Sequence, residues 1–248
     1  MVDPLHQFNV FPIFSMTISG GDVSFTNSSL YMLLSAGIAL ALVLYGMRRQ
    51  LLVPDRLQSL AEVAYEFVAG IVHSNIGPEG RPFIPFVFAL FMFLLLGNLI
   101  GMVPYTFTFT SHLIITGALA LVVFVMVTVL GLIRHGFHFF SRFMPKGVPM
   151  ALMPLMIPLE VISYFIRPVS LSVRLFANIM AGHTMLKVFA GFIIMMAGGL
   201  GIIGYVLGIL PLLLLVVLIG FEIFVAFIQA YVFALLTVIY IQDSLGSH

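Results

Sequence analysis

The chain has 248 residues, of which 62% are hydrophobic and 8% charged, with a mean hydropathy of +1.21 and a formal net charge of +1. Soluble domains carry about 25% charged residues, so this composition excludes an ordinary water-facing globule. No basic tract offers a footing for nucleic acid, and the absence of cysteine excludes disulfides and thiolate metal sites.

Residues 1–27 hold no Lys or Arg and no long apolar core, so they read as a short hydrophilic external tail rather than a cleaved leader. Asn27 and Ser28 offer N-cap oxygens ahead of a first spanning helix over 28–48, which ends at Arg48 and Arg49. Over 55–74 the pattern changes. Leu57, Leu60, Ala61, Ala64, Phe67, Val68, Ile71 and Val72 recur at helical spacing, with Gln58, Ser59, Glu62 and Glu66 on the other side. That pattern predicts an amphipathic helix lying in the membrane interface. Gly77, Pro78, Gly80 and Pro82 mark a loop over 75–85.

Spanning helices are expected over 83–103 and 112–134, each long enough for a hydrocarbon core of roughly 30 Å. A polar connector over 134–149 leads to two long apolar segments, 150–196 and 200–242, parted by the glycine-rich stretch 198–204. Each would be roughly 60–68 Å long as a helix, about twice a bilayer. Such a segment must cross twice, break, or lie steeply tilted, and Pro154, Pro158, Pro168 and Pro211 permit kinks. The expected fold class is therefore all-α: a polytopic membrane domain with about five crossings and one interfacial helix.

Arg48, Arg49, Arg56, Arg81, Arg134, Arg142 and Lys146 fall on one side if the first helix runs inward. The positive-inside rule then sets the N-terminus outside and the C-terminus in the cytoplasm.

The remaining basic residues, Arg167, Arg174 and Lys187, lie in the first long segment. On a helical wheel Glu160, Ser163, Arg167, Ser170, Arg174 and Asn178 share an arc of about 80° along roughly 27 Å. An arginine near mid-bilayer costs at least about 2.5–3.5 kcal/mol, so its default reading is functional. The plainer alternative is that these residues pair with one another, but Arg174 has no acid at i±3 or i±4. His183 faces the opposite way. On the last helix Glu222 and Gln229 are seven apart on one face. In an antiparallel hairpin bent at 198–204, His183 and Glu222 lie fifteen and eighteen residues from the bend. They can meet, either as a structural hydrogen-bonded pair or as a proton relay, since imidazole changes charge near neutrality.

His135 and His138 lack a third ligand, so no metal site is expected. Gly97–Gly101 and Gly204–Gly208 show small-residue packing spacing. Without a Walker A loop, HEXXH or GxSxG, no nucleotide site or hydrolytic centre is expected, and no cofactor. A secondary transporter would more often show an internal repeat, and none is found.

The run Arg167-Pro-Val-Ser-Leu-Ser-Val-Arg-Leu-Phe-Ala-Asn-Ile-Met-Ala-Gly-His183 resembles the signature of the subunit a family of F-type ATP synthases. So do Asp3-Pro-Leu-His-Gln-Phe8, Gly97-Asn-Leu-Ile-Gly-Met-Val-Pro104, Pro145-Lys-Gly-Val-Pro149 and the stretch Glu222 to Gln229. The resemblance implies a proton-translocating stator subunit with no active site of its own. Its partners would be the subunit c ring, the peripheral stalk subunit b (or b and b′), the rest of the synthase and membrane lipid. It also implies that Arg174 is the essential arginine facing the ring carboxyls. Asn178, His183, Glu222 and Gln229 would line the half-channel open to the proton-rich side, and Glu160, Ser163, Arg167 and Ser170 the cytoplasmic one. The two long helices would form a strongly tilted hairpin. Many bacterial members have an acid where His183 stands and a histidine where Glu222 stands. The exchanged pair resembles alpha-proteobacterial and mitochondrial members, which implies a bacterial inner membrane ahead of a mitochondrial one.

Overall fold

The computed structural model describes residues 9–15, 17–18, 21–22, 24–48, 54–103, 106–136, 153–199 and 201–246. The expected basic positions Arg49, Arg142 and Lys146, together with His138, lie outside the described residues.

The chain is almost wholly helical, and five of its helices are long and apolar enough to cross a membrane. The N-terminal tail differs from the sequence expectation. It carries two short antiparallel ladders, β1 (Pro12–Phe14) with β4 (Phe25–Thr26) and β2 (Thr17–Ile18) with β3 (Gly21–Asp22). Ile, Phe and Thr are residues that suit an extended backbone. Asn27 both ties this tail down and accepts from the first-turn amide Ser28 N at 2.9 Å. Its side chain accepts from Phe11 N at 3.2 Å and donates to Asn9 O at 3.2 Å. The cap of α1 (Asn27–Gly46) is Thr26, whose hydroxyl accepts from Ser29 N at 3.4 Å.

α2 (Arg56–Ile76) starts at Asp55, whose carboxylate accepts from Arg56 N, and ends at Gly77 with φ of 77°, a conformation that favours glycine. Its packing face is rotated from the one the sequence suggests. Gln58, Ala61, Val68, Ile71, Val72 and Ile76 turn inward, and Gln58 donates to Glu62 at 2.8 Å. Leu57, Leu60, Val63 and Phe67 stay exposed. The helix therefore has three faces, one against protein, one apolar and uncovered, and one carrying Ser59, Glu62 and Glu66. That is the pattern a helix needs when protein, acyl chains and headgroup water meet around it. The expected loop after it is a 3-10 helix over Gly77–Phe83, because Pro78 falls at a first-turn position where its missing N–H costs nothing.

α3 (Ile84–Gly101) and α4 (Leu113–His135) run 18 and 23 residues, each long enough for one crossing. α5 (Met153–Gly199) and α6 (Gly201–Leu245) run 47 and 45 residues, roughly 70 Å each. They continue through Pro158, Pro168 and Pro211, and the glycine-rich break is confined to the neighbourhood of residue 200, since Gly198, Gly199 and Gly201–Gly204 are helical.

The core forms where the second half of α6 meets the other helices. Ala230, Phe233, Ala234, Val238 and Ile241 interlock with Val87, Phe91 and Leu94 of α3, Val123 and Val127 of α4, and Leu171 and Leu175 of α5. Phe67 of α2 joins them, its ring 5.6–5.8 Å from Phe91, Phe227 and Tyr231. Lipid tails are as apolar as these side chains, so close packing rather than transfer from water holds the helices together. The first half of α6 and the far end of α5 are broadly exposed, as at Val206, Leu210, Val217, Ile194 and Met195.

Candidate functional site

One stripe of α5 faces inward: Tyr164, Leu171, Ser172, Leu175, Ile179 and His183. Antiparallel packing against α6 carries Glu222 to this stripe. His183 Nε2 lies 3.7 Å from Glu222 Oε1, and both side chains are almost buried. The approach depends on Gly182. A Cβ there would stand 2.7 Å from Glu222 Oε1, too close for any other residue without displacing the carboxylate. Gln229 is also buried, two turns along the same face of α6.

Among the described residues neither carboxylate oxygen of Glu222 accepts a hydrogen bond. A buried ionisable group without donors is costly unless it has work to do.

Around this pair the structure gathers neutral polar groups that sequence reasoning passed over. The segment between α3 and α4 folds inward as a 3-10 turn, Phe109–Ser111, and buries Thr108, Thr110 and Ser111. Thr108 Oγ1 lies 3.2 Å from His183 Nε2 and donates to Gly101 O at 3.0 Å. Thr110 donates to Asn98 Oδ1 at 2.8 Å, and Thr116 pairs with Ser172 at 3.1 Å. Gly97 and Gly101 serve this fold. A Cβ at either would collide with Phe109 or Thr108, so their spacing fits the inward turn rather than a second helix. Gly208 has open space where a Cβ would be. The alternation Thr106-Phe-Thr-Phe-Thr-Ser-His112 was the available signal, a polar and aromatic tract where a plain connector needs neither.

The polar stripe of α5 divides. Arg167 turns toward α6, where its guanidinium bonds Asp243 Oδ2 at 2.8 Å and lies 5.4 Å from the Tyr240 ring centre. Asp243 is 76 residues away, so local spacing gave no sign of the pair. Tyr164, Pro168 and the α4 residues Val123, Phe124 and Val127 complete a small cleft beside it, and Tyr164 bonds Thr128 at 2.6 Å. Ser170 donates to Arg167 O at 3.0 Å and is exposed, as is Ser163, while Glu160 is half-buried. These three are not brought to the Arg167–Asp243 pair.

Arg174 and Asn178 are exposed. Among the described residues Arg174 forms no hydrogen bond or ion pair. It stands seven residues past Arg167 and nine before His183, roughly 10 and 13 Å along the helix. An exposed cation thus lies between two polar zones, one ending at Asp243 and one at Glu222. No cluster of three potential metal ligands exists among the described residues.

A family model described as ATP synthase A chain matches residues 29–242. An ATP synthase subunit a of Rhodopseudomonas palustris is 53% identical over 246 residues, covering 99% of this chain and 98% of the relative. That of Bradyrhizobium diazoefficiens is 54% identical over 245 residues, 98% of each. That of Rhodospirillum rubrum is 50% identical over 248 residues, the full length of both. With its five apolar helices, the chain belongs to the ATP synthase A chain family and is a membrane-embedded subunit of the proton-transporting synthase.

Proposed function

We propose that this chain is the proton-conducting stator subunit of an F-type synthase in a bacterial inner membrane, with N-terminus outside and C-terminus in the cytoplasm. Two aqueous half-channels serve a rotating ring of subunit c, and Arg174 separates them. The observation that carries this reading is an exposed arginine, unpaired among the described residues, set between the half-buried Arg167–Asp243 pair and the nearly buried His183–Glu222 pair.

Protons from the outer side pass the polar 106–112 turn and the His183–Glu222 pair, with Asn178 and Gln229, and neutralise a ring carboxylate. The neutral carboxyl travels through lipid at low electrostatic cost. On completing its turn it meets Arg174, which keeps its charge at any physiological pH. A carboxylate about 4 Å from that guanidinium gains roughly 4 kcal/mol at an effective dielectric near 20. This favours proton release by about three powers of ten. The proton leaves through the second polar zone, where Glu160, Ser163, Arg167 and Ser170 flank the exit. The same positive charge bars a proton from leaking between the half-channels. The driving energy is about 2.3 kcal/mol per proton per 100 mV. Subunit b would hold the chain against the torque.

Arg174→Ala tests the reading. Synthesis in inverted vesicles should cease, while passive proton conductance of vesicles stripped of the catalytic sector should rise. Arg174→Lys should also be severely impaired, because a desolvated lysine can neutralise. Near-normal synthesis by the assembled alanine variant would refute the proposal.

A further inference from the structure

We propose that Thr108 is a positioning residue that holds the His183 imidazole in a single tautomer, with the hydrogen on Nε2 donated to its hydroxyl and standing beside Glu222. The inference rests on the reading of His183 as a proton carrier and adds the group that sets its orientation.

The argument follows the hydrogens. A threonine hydroxyl has one hydrogen and two lone pairs. Thr108 Oγ1 stands 3.0 Å from the carbonyl of Gly101, the last residue of α3. A carbonyl only accepts, and those at a helix C-terminus lack an intrahelical donor. The hydroxyl hydrogen is therefore committed to Gly101 O. What remains toward His183 Nε2, 3.2 Å away, is a lone pair, so the ring nitrogen must supply the hydrogen. The same Nε2 is 3.7 Å from Glu222 Oε1. One N–H thus bonds a fixed hydroxyl while lying beside a buried carboxylate that has no hydrogen-bond donor among the described residues. A small rotation of the ring exchanges the first acceptor for the second.

Thr108 is itself held. Ser111 Oγ donates to its carbonyl at 2.6 Å, and the neighbouring Phe109 is 1% exposed, its ring 5.1 Å from that of Phe93. Gly101 lacks the Cβ that would push the Thr108 side chain away. The charged groups acting on His183 are Glu222 from α6 and Lys187 one turn along α5. The 106–112 turn contributes Thr108, a neutral partner, which can fix a tautomer without adding charge. Partner groups of this kind commonly decide which imidazole nitrogen carries the hydrogen.

The experiment uses the assembled synthase, with ¹⁵N-histidine incorporated and the His183 signals identified by difference from His183→Gln. Passive proton conductance of stripped membranes is measured in parallel. In the wild type His183 should be predominantly Nε2–H. Thr108→Val removes the acceptor, so the tautomers should mix and conductance should fall about tenfold, equivalent to ~1.4 kcal/mol on the barrier. Thr108→Ser should restore both readouts. Gly101→Ala, which keeps the hydroxyl but drives it off the carbonyl, frees its hydrogen for the ring and should populate the Nδ1–H form. Retention of the Nε2–H form in Thr108→Val, or a serine variant as defective as the valine one, would overturn the inference. Normal conductance in His183→Ala would instead remove the underlying reading of the site. The tautomer measurement would still test the Thr108 assignment by itself.

Discussion

Replacing Gly182 with alanine isolates the His183–Glu222 contact from the stability of the helix that carries it. The new Cβ would stand 2.7 Å from Glu222 Oε1, 3.1 Å from Cδ and 3.4 Å from Cγ. Ordinary contact begins near 3.4 Å, so the oxygen must retreat by about 0.7 Å. The imidazole is tethered to Thr108 and does not follow. Misplacing a reacting group by about 1 Å can cost on the order of a hundredfold. A loss of roughly ten- to a hundredfold in passive proton conductance is therefore expected. The helix itself should be no weaker, since alanine is favoured over glycine in a helix interior by roughly 0.5–1 kcal/mol. Gly191→Ala supplies the control: it lies in the same helix with open space around the added methyl, and should conduct normally. The assay is dye-monitored proton uptake into stripped vesicles under a potassium diffusion potential, with assembly checked by co-purification of the complex. A Gly182→Ala complex that assembles and conducts within about twofold of wild type would refute the claim that this contact lies on the path.

Glu222→Gln should sharply slow proton flux while leaving assembly intact, and His183→Glu combined with Glu222→His should recover more flux than either single change. Strictly additive losses in that cycle would show the two acting independently. Asp243→Asn should remove the charged partner of Arg167 and cost about 1 kcal/mol, a modest figure because both side chains are about a third exposed. Thermal unfolding of the detergent-solubilised complex would detect it, and an unchanged midpoint would argue that the pair contributes nothing to stability. For topology, a cysteine at Asp22 should react with an impermeant thiol reagent from outside and one at Ser247 only from inside; labelling of both from the same side would exclude an odd number of crossings.

Much of this was legible because membranes punish polar residues so heavily that each one stands out. The arc from Glu160 to Asn178 and the comparable distances of His183 and Glu222 from the hairpin bend needed only the helical period. What escaped was of two kinds. Neutral hydroxyls such as Thr116 and Ser172 are cheap to bury once bonded, so nothing in their spacing set them apart from ordinary helix residues. Pairs joined only by tertiary packing, above all Arg167 with Asp243, leave no mark at short range. The packing face of α2 was not legible for a different reason. Apolar periodicity shows which side of a helix avoids water, but lipid and protein interior look alike to it. Leu57 and Leu60 are exposed while Gln58 is buried.

The Arg167–Asp243 bond also has a mechanical meaning. α5 and α6 are joined at one end by the break near residue 200 and fastened again, far along their length, by this ion pair and Tyr240. A helix held only at a hinge answers sideways force like a cantilever, bending most at its free tip. One held at two points behaves as a supported beam, far stiffer for the same span. Arg174 lies between the two fastenings, seven residues from the ion pair. In the proposed arrangement, thrust from the ring on its exposed face would pass into the frame, and the guanidinium would keep its station.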